Sequence, residues 1–87
     1  MSKLLFSERA WEDYQYWLST DKKTARKINE LLKDTERNGY SGLGKPEPLK
    51  GNLSGFWSKR IDDENRLVFH ITEDTIEIIQ LKGHYND

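Results

Sequence analysis

The stretch from Asn38 to Gly55 holds five of the six glycines and both prolines of an 87-residue chain. That density of breakers rules out a regular helix or a central strand there. It separates a helix-forming first half from a strand-forming second half, so the core must come from packing one on the other. A chain of this length makes one domain, covering residues 1–87. It buries roughly 60–65% of its unfolded surface, enough for a single modest core.

Before the breakers, "KLLF" reads as a first strand. Ser7 is placed to cap a helix, with Glu8 in the first turn where the helix dipole favours a carboxylate. Ala10, Trp11, Tyr14, Trp17 and Leu18 then recur at three- and four-residue spacing, which predicts one apolar stripe on a helix over residues 8–19. Thr20 or Asp21 caps a second helix with the stripe Ala25, Ile28, Leu31 and Leu32, stopped at Asn38-Gly39. The short link predicts an antiparallel helical hairpin. Beyond Gly55, "FWSKRI", "RLVFHIT" and "TIEIIQLK" read as three strands joined by the acidic turns "DDEN" and "ED". The fold class expected is α+β, in the order β-α-α-β-β-β with a further short strand allowed. The helical hairpin covers one face of a twisted antiparallel sheet and leaves the other partly open.

The absence of cysteine excludes disulfides, thiolate chemistry and Cys-type zinc sites. The N-terminus "MSKLLFSERA" resembles neither a signal peptide nor a membrane span, so a cytoplasmic protein is expected. Net charge is −1, which gives the whole molecule no strong pull on nucleic acid. The distribution is uneven, however. Residues 7–21 balance at −3, whereas residues 22–37 and 45–60 each balance at +3, so a local basic surface is available.

Strand alternation sorts the side chains. Leu67, Phe69 and Ile71 point to the helices, and Arg66, Val68, His70 and Thr72 to the open face. In the preceding strand Trp57 and Ile61 face the core and Phe56, Ser58 and Arg60 the opposite side. Pairing Ile61 with Leu67 and Trp57 with Ile71 would put Arg60 opposite Val68 and bring Arg60 and Arg66 within reach of one point. Lys59 falls on the core face and is expected to run its stem along apolar surface to water. A two-residue "ED" turn pairs Ile71 with Ile76. Strict alternation would then turn His84 towards the helices, so the strand must break register first, at Gly83 or at a bulge near Ile78-Ile79.

Glu47 sits between Pro46 and Pro48, with Lys45 and Lys50 close by. A stiffly held carboxylate among bases suits proton transfer beside an anion, and equally suits a salt-bridged turn. Arg60 and Arg66 suit a phosphate grip, and equally suit a solvated pair facing "DDE". RNA cleavage by its own 2′-hydroxyl would use all of these: Glu47 as base, the arginines on the phosphate, His84 as acid and Tyr85 on a base or the phosphate. That chemistry needs no metal or other cofactor. His70 reads as a strand residue, and Trp11, Tyr14 and Trp17 as core or dimer contacts.

"AWEDYQYW", "KINELLKDTERNGYSGLGKPEPLKGNLSGFWSKRI", "ENRLVF" and the closing "HY" resemble, over nearly the whole chain, the YoeB/Txe family of toxins within the RelE-type superfamily. The resemblance implies a fold like that of small microbial ribonucleases and cleavage of messenger RNA in the ribosomal A site. It puts the general base on Glu47, phosphate-gripping residues on Arg60 and Arg66, the general acid on His84 and an RNA-contacting aromatic on Tyr85. Lys45, Lys50 and Lys59 are the accompanying basic residues expected to contact RNA. Implied partners are a cognate YefM/Axe-like antitoxin, the ribosome with its messenger RNA, and operator DNA through the antitoxin complex; homodimers also occur in the family. The residues alone leave open a non-catalytic antitoxin-binding co-repressor or RNA binder, and a related-fold toxin acting on DNA gyrase. Family chains often stop at the tyrosine, whereas Asn86-Asp87 follow here and add a carboxylate next to the acid.

Overall fold

The computed structural model describes residues 2–85, so the Asn86-Asp87 extension lies outside the described residues. The elements are β1 (Lys3–Phe6), α1 (Glu8–Thr20), α2 (Lys22–Asn38), β2 (Glu47–Pro48), β3 (Trp57–Arg60), β4 (Arg66–Thr72) and β5 (Thr75–Gln80), with a 3₁₀ turn at Gly51–Leu53. They form one sheet in the order β1-β5-β4-β3-β2 with the helices packed on one face. The sheet is mixed and not wholly antiparallel. β1 fills the free edge of β5 with a parallel ladder that ends where Ser7 N–H donates to the Ile78 carbonyl at 2.8 Å and the chain enters α1.

The helix boundaries follow the caps. Ser7 Oγ accepts from Ala10 N–H at 3.0 Å, and Asp21 Oδ1 accepts from Thr24 N–H at 3.2 Å. Asp21 alone separates the helices, a tighter link than the two or three residues expected. Tyr14 Oη donates to Asn29 Oδ1 at 2.7 Å, which places residues about equally far on either side of Asp21 together, as a hairpin requires. The α2 stripe is buried as expected. The α1 stripe is narrower. Ala10, Asp13 and Trp17 are buried, whereas Trp11 and Leu18 are exposed, because the hairpin and the sheet together cover only one side of α1. Among the described residues no helix is long and apolar enough to cross a membrane.

The β3–β4 register differs from the expected one by two residues: Trp57 pairs with Phe69, and Arg60 with Arg66. The connection is centred one residue earlier than the expected pairing requires. Asp62 Oδ1 accepts from both Glu64 N–H and Asn65 N–H at 2.8 Å, and Ile61 N–H closes the loop on the Asn65 carbonyl at 3.0 Å. A slip of two preserves every face assignment, since side chains alternate with period two. Leu67 and Phe69 are accordingly buried against Ile28, Leu31 and Ile78.

Lys59 corrects the sequence reading. It is fully buried and does not reach water. Its Nζ donates to Thr35 Oγ1 at 2.9 Å and lies 3.6 Å from Asp34 Oδ2. Burial pushes its pKa down and the Asp34 carboxylate opposes that. A cation enclosed beneath the helices has no path to a nucleic acid, so the expected RNA contact of Lys59 does not hold. Asp34 also accepts from Leu43 N–H at 2.8 Å, tying α2 to the breaker segment. Asp34→Ala therefore leaves a buried ammonium short of its counter-charge and is expected to lose about 3 kcal/mol in urea denaturation, whereas Lys59→Met, which removes the charge and keeps the volume, stays near wild type or gains stability.

Candidate functional site

Glu47 is carried on the edge strand β2, where proline is tolerated because one side of the ladder is unpaired. Its partner across the ladder is Ser58, so Glu47 lies on the face away from the helices. The strand is fastened at both ends: Leu49 N–H donates to the Phe56 carbonyl at 2.9 Å, and Arg60 N–H to the Gly44 carbonyl at 2.6 Å. Gly44 has φ +88°, and a Cβ there would stand 2.8 Å from the Lys59 Cβ, so a side chain is excluded. Lys45 follows with φ +49°, a left-handed conformation that costs a non-glycine residue about 1–2 kcal/mol. The backbone on the approach to Glu47 is thus held in an unusual shape by the buried Lys59 region beneath it.

Arg60 and Arg66 face each other directly across β3 and β4. Arg60 is exposed and Arg66 half-buried. Arg66 Nη1 donates to the carbonyls of Asp62 at 2.6 Å and Asn65 at 3.1 Å, which fixes the position of the guanidinium fork. The register sets the two arginines opposite each other across the ladder, where the expected pairing would set Arg60 opposite Val68.

The C-terminal residues reach the same face through a bulge. Ile71 pairs with Ile76, as the two-residue turn predicts, and Phe69 with Ile78, but Val68 pairs with Gln80, leaving Ile79 as the extra residue. The Ile79 carbonyl, displaced from the ladder, accepts from Ser7 Oγ at 2.8 Å. Gly83, with φ +79°, adds a second turn. The expected break in register is therefore realised at both of the positions the sequence suggested. His84 is exposed.

Tyr85 Oη donates to Glu47 Oε1 at 2.6 Å, a short charge-assisted bond. Donation to that carboxylate raises the Tyr85 pKa above its ordinary value, helped by partial burial, while the Ser58 hydroxyl and the Arg66 charge pull it down. Glu47, Ser58, Arg66 and Tyr85 thus form one cluster on the open face. Arg60 flanks it across the ladder, and His84 adjoins it in the chain. Lys45 and Lys50 are exposed on either side of Glu47. Lys59 is not in this group.

Sequence reasoning missed three contributors. Alternation puts Ser58 on the open face, but nothing in the sequence links it to Tyr85. The sequence marks Asn65 only as a turn residue and Gln80 only as a strand residue. A polar amide directly after the Ile78-Ile79 pair, where alternation fails, was the available signal for Gln80.

Residues 6–85 match the family model described as the YoeB-like toxin of bacterial type II toxin–antitoxin systems. The chain is 57% identical over 83 residues to Toxin YoeB of Escherichia coli strain K12, covering 95% of this chain and 99% of that protein. It is similar in structure to the YoeB dimer from Staphylococcus aureus, with a TM-score of 0.90 at 49% identity over 97% of this chain and 98% of that one. It is equally similar to the toxin in the YoeB–YefM complex from the same organism, with a TM-score of 0.90 at 48% identity over 98% and 99% of the two chains. Matched along essentially its full described length in both sequence and fold, the chain belongs to the YoeB-like toxins of bacterial type II toxin–antitoxin systems.

Proposed function

We propose that this toxin is a metal-independent endoribonuclease that cuts messenger RNA on the ribosome, in the cytoplasm, by attack of the RNA 2′-hydroxyl on the adjoining phosphate. The observation that carries this reading is the Tyr85–Glu47 bond, which joins the C-terminal tail to the proline-framed carboxylate beside Arg66. Glu47 takes the 2′ proton; His84, exposed one residue from Tyr85, protonates the departing 5′ oxygen. Arg66 and Arg60 face the charge that grows on the phosphate oxygens. Tyr85 must share or yield its contact with Glu47 when the 2′-hydroxyl arrives, which places the phenol next to the reacting group. Lys45 and Lys50 supply positive charge along the RNA backbone.

By the same reasoning the chain is held silent by an antitoxin like the YefM of the Staphylococcus aureus complex, and self-associates as the YoeB dimer of that organism does. Repression of operator DNA would then be a property of the antitoxin complex.

Primer extension on messenger RNA after induction tests the reading. Wild type is expected to give cuts at ribosome-positioned sites, and His84→Ala to reduce them by about 10²–10⁴-fold with the fold intact. Unchanged growth inhibition by His84→Ala would point to a non-catalytic co-repressor or RNA binder. A DNA-damage response without positioned cuts would point to gyrase.

A further inference from the structure

Past Gln80 the chain leaves the ladder, yet it must still deliver Tyr85 to Glu47. Side chains replace the lost strand neighbour. From α1, Asp13 Oδ2 accepts from Leu81 N–H at 3.0 Å, Trp17 Nε1 donates to the Leu81 carbonyl at 2.9 Å, and Arg9 Nη2 donates to the Lys82 carbonyl at 2.9 Å. These three residues are spaced by four and line one side of the helix. They anchor the root of the tail.

The tip is held differently. Gln80 Nε2 donates to the carbonyls of Lys82 at 3.0 Å, Gly83 at 3.1 Å and His84 at 2.7 Å. Asn65 Oδ1 accepts from Gly83 N–H at 2.7 Å, and Arg66 N–H donates to the Gly83 carbonyl at 3.1 Å. One buried amide group thus draws three successive carbonyls around itself, and it can do so only because the bulge at Ile79 places Gln80 opposite Val68. In a regular ladder Ile79 would take the place opposite Val68, and Gln80 would face the helices.

We infer that Gln80 and Asn65 are positioning residues that set where His84 and Tyr85 stand over the sheet, acting on RNA cleavage through those two residues. This rests on the ribonuclease reading and deepens it. The tail beyond Gln80 has no ladder of its own. Removing the amide takes a donor from all three carbonyls; Lys82 keeps Arg9 and Gly83 keeps the Arg66 N–H, but the inward-turned His84 carbonyl loses the donor that holds it, and the tip will reorient to find water. A displacement of about 1 Å in a reacting group costs about 10²-fold in rate.

The test compares wild type with Gln80→Leu, which keeps the bulk and removes the donor, and Gln80→Glu, which offers an acceptor to carbonyls that need a donor. Three readouts are taken: single-turnover cleavage of messenger RNA on ribosomes, amide hydrogen exchange at Gly83, His84 and Tyr85, and titration of the Tyr85 phenol against Tyr85→Phe. For both variants kcat is expected to fall about 10- to 100-fold with KM within about twofold, tail amides to exchange at least about tenfold faster, and the phenol to return towards its ordinary pKa. Should Gln80→Leu fail to fold, Asn65→Ala removes the second attachment and carries the same expectations. The inference is overturned if tail exchange and the phenol titration match wild type, or if they change while kcat does not. A wild-type protein that cuts no RNA would sink the ribonuclease reading; the exchange and titration results would still report whether the tail is held.

Discussion

Glu47→Gln is expected to lower kcat for RNA cleavage by about 10²–10⁴-fold, the range for loss of a general base. The substitution preserves the shape, and the amide carbonyl can still accept from Tyr85, so KM and the unfolding midpoint should stay close to wild type. The residue is exposed on a two-residue edge strand fastened by backbone bonds on both sides, and its side chain carries little of the fold. Tyr85 gives an internal check: with its anionic acceptor gone, its phenol should titrate nearer the ordinary value. Single-turnover kinetics on ribosome-bound messenger RNA, with an ultraviolet titration of the phenol, measure both. A Glu47→Gln protein that cleaves within about threefold of wild type would remove Glu47 from the role of base.

Arg66→Ala should be nearly as damaging, by about 10²–10³-fold in kcat, because it withdraws a fixed cation from where charge develops. Arg66 also donates to the Asp62 and Asn65 carbonyls, so a loss of about 1–2 kcal/mol of stability is expected as well. Arg66→Lys separates the two effects. It keeps the charge and loses the planar fork, so it should recover only part of the rate. Full recovery by lysine would mean that a bare positive charge suffices there. If Arg66→Ala lost stability and kept its rate, the arginine would be only a loop fastener.

Much of the site was legible because strand parity tolerates error. The β3–β4 pairing was misplaced by two residues, yet Arg60, Arg66 and Ser58 still fell on the open face, since a shift of two returns every side chain to its side. The break before His84 was legible for the same reason: alternation from Ile76 would have buried it. Lys59 shows the limit. Its face followed from alternation, but whether its ammonium reaches solvent depends on what lies above it, and α2 supplies Thr35 and Asp34 instead of an exit. Trp11 shows the converse. Its spacing fits the apolar stripe, but it is 52% exposed because the covering surface ends short of it.

The sequence by itself determined the two helices and their caps, the alternation in the strands, the breaker segment that carries Glu47, and the need for an irregularity ahead of His84. These follow from periodicity and backbone preference, which act within a few residues. Tertiary structure alone decided that Tyr85 bonds a carboxylate 38 residues away, that Gln80 gathers the tail, and that Lys59 is sealed in. Such contacts depend on where a long glycine- and proline-rich connection sets down its edge strand and on where a bulge interrupts the ladder. No local preference encodes either.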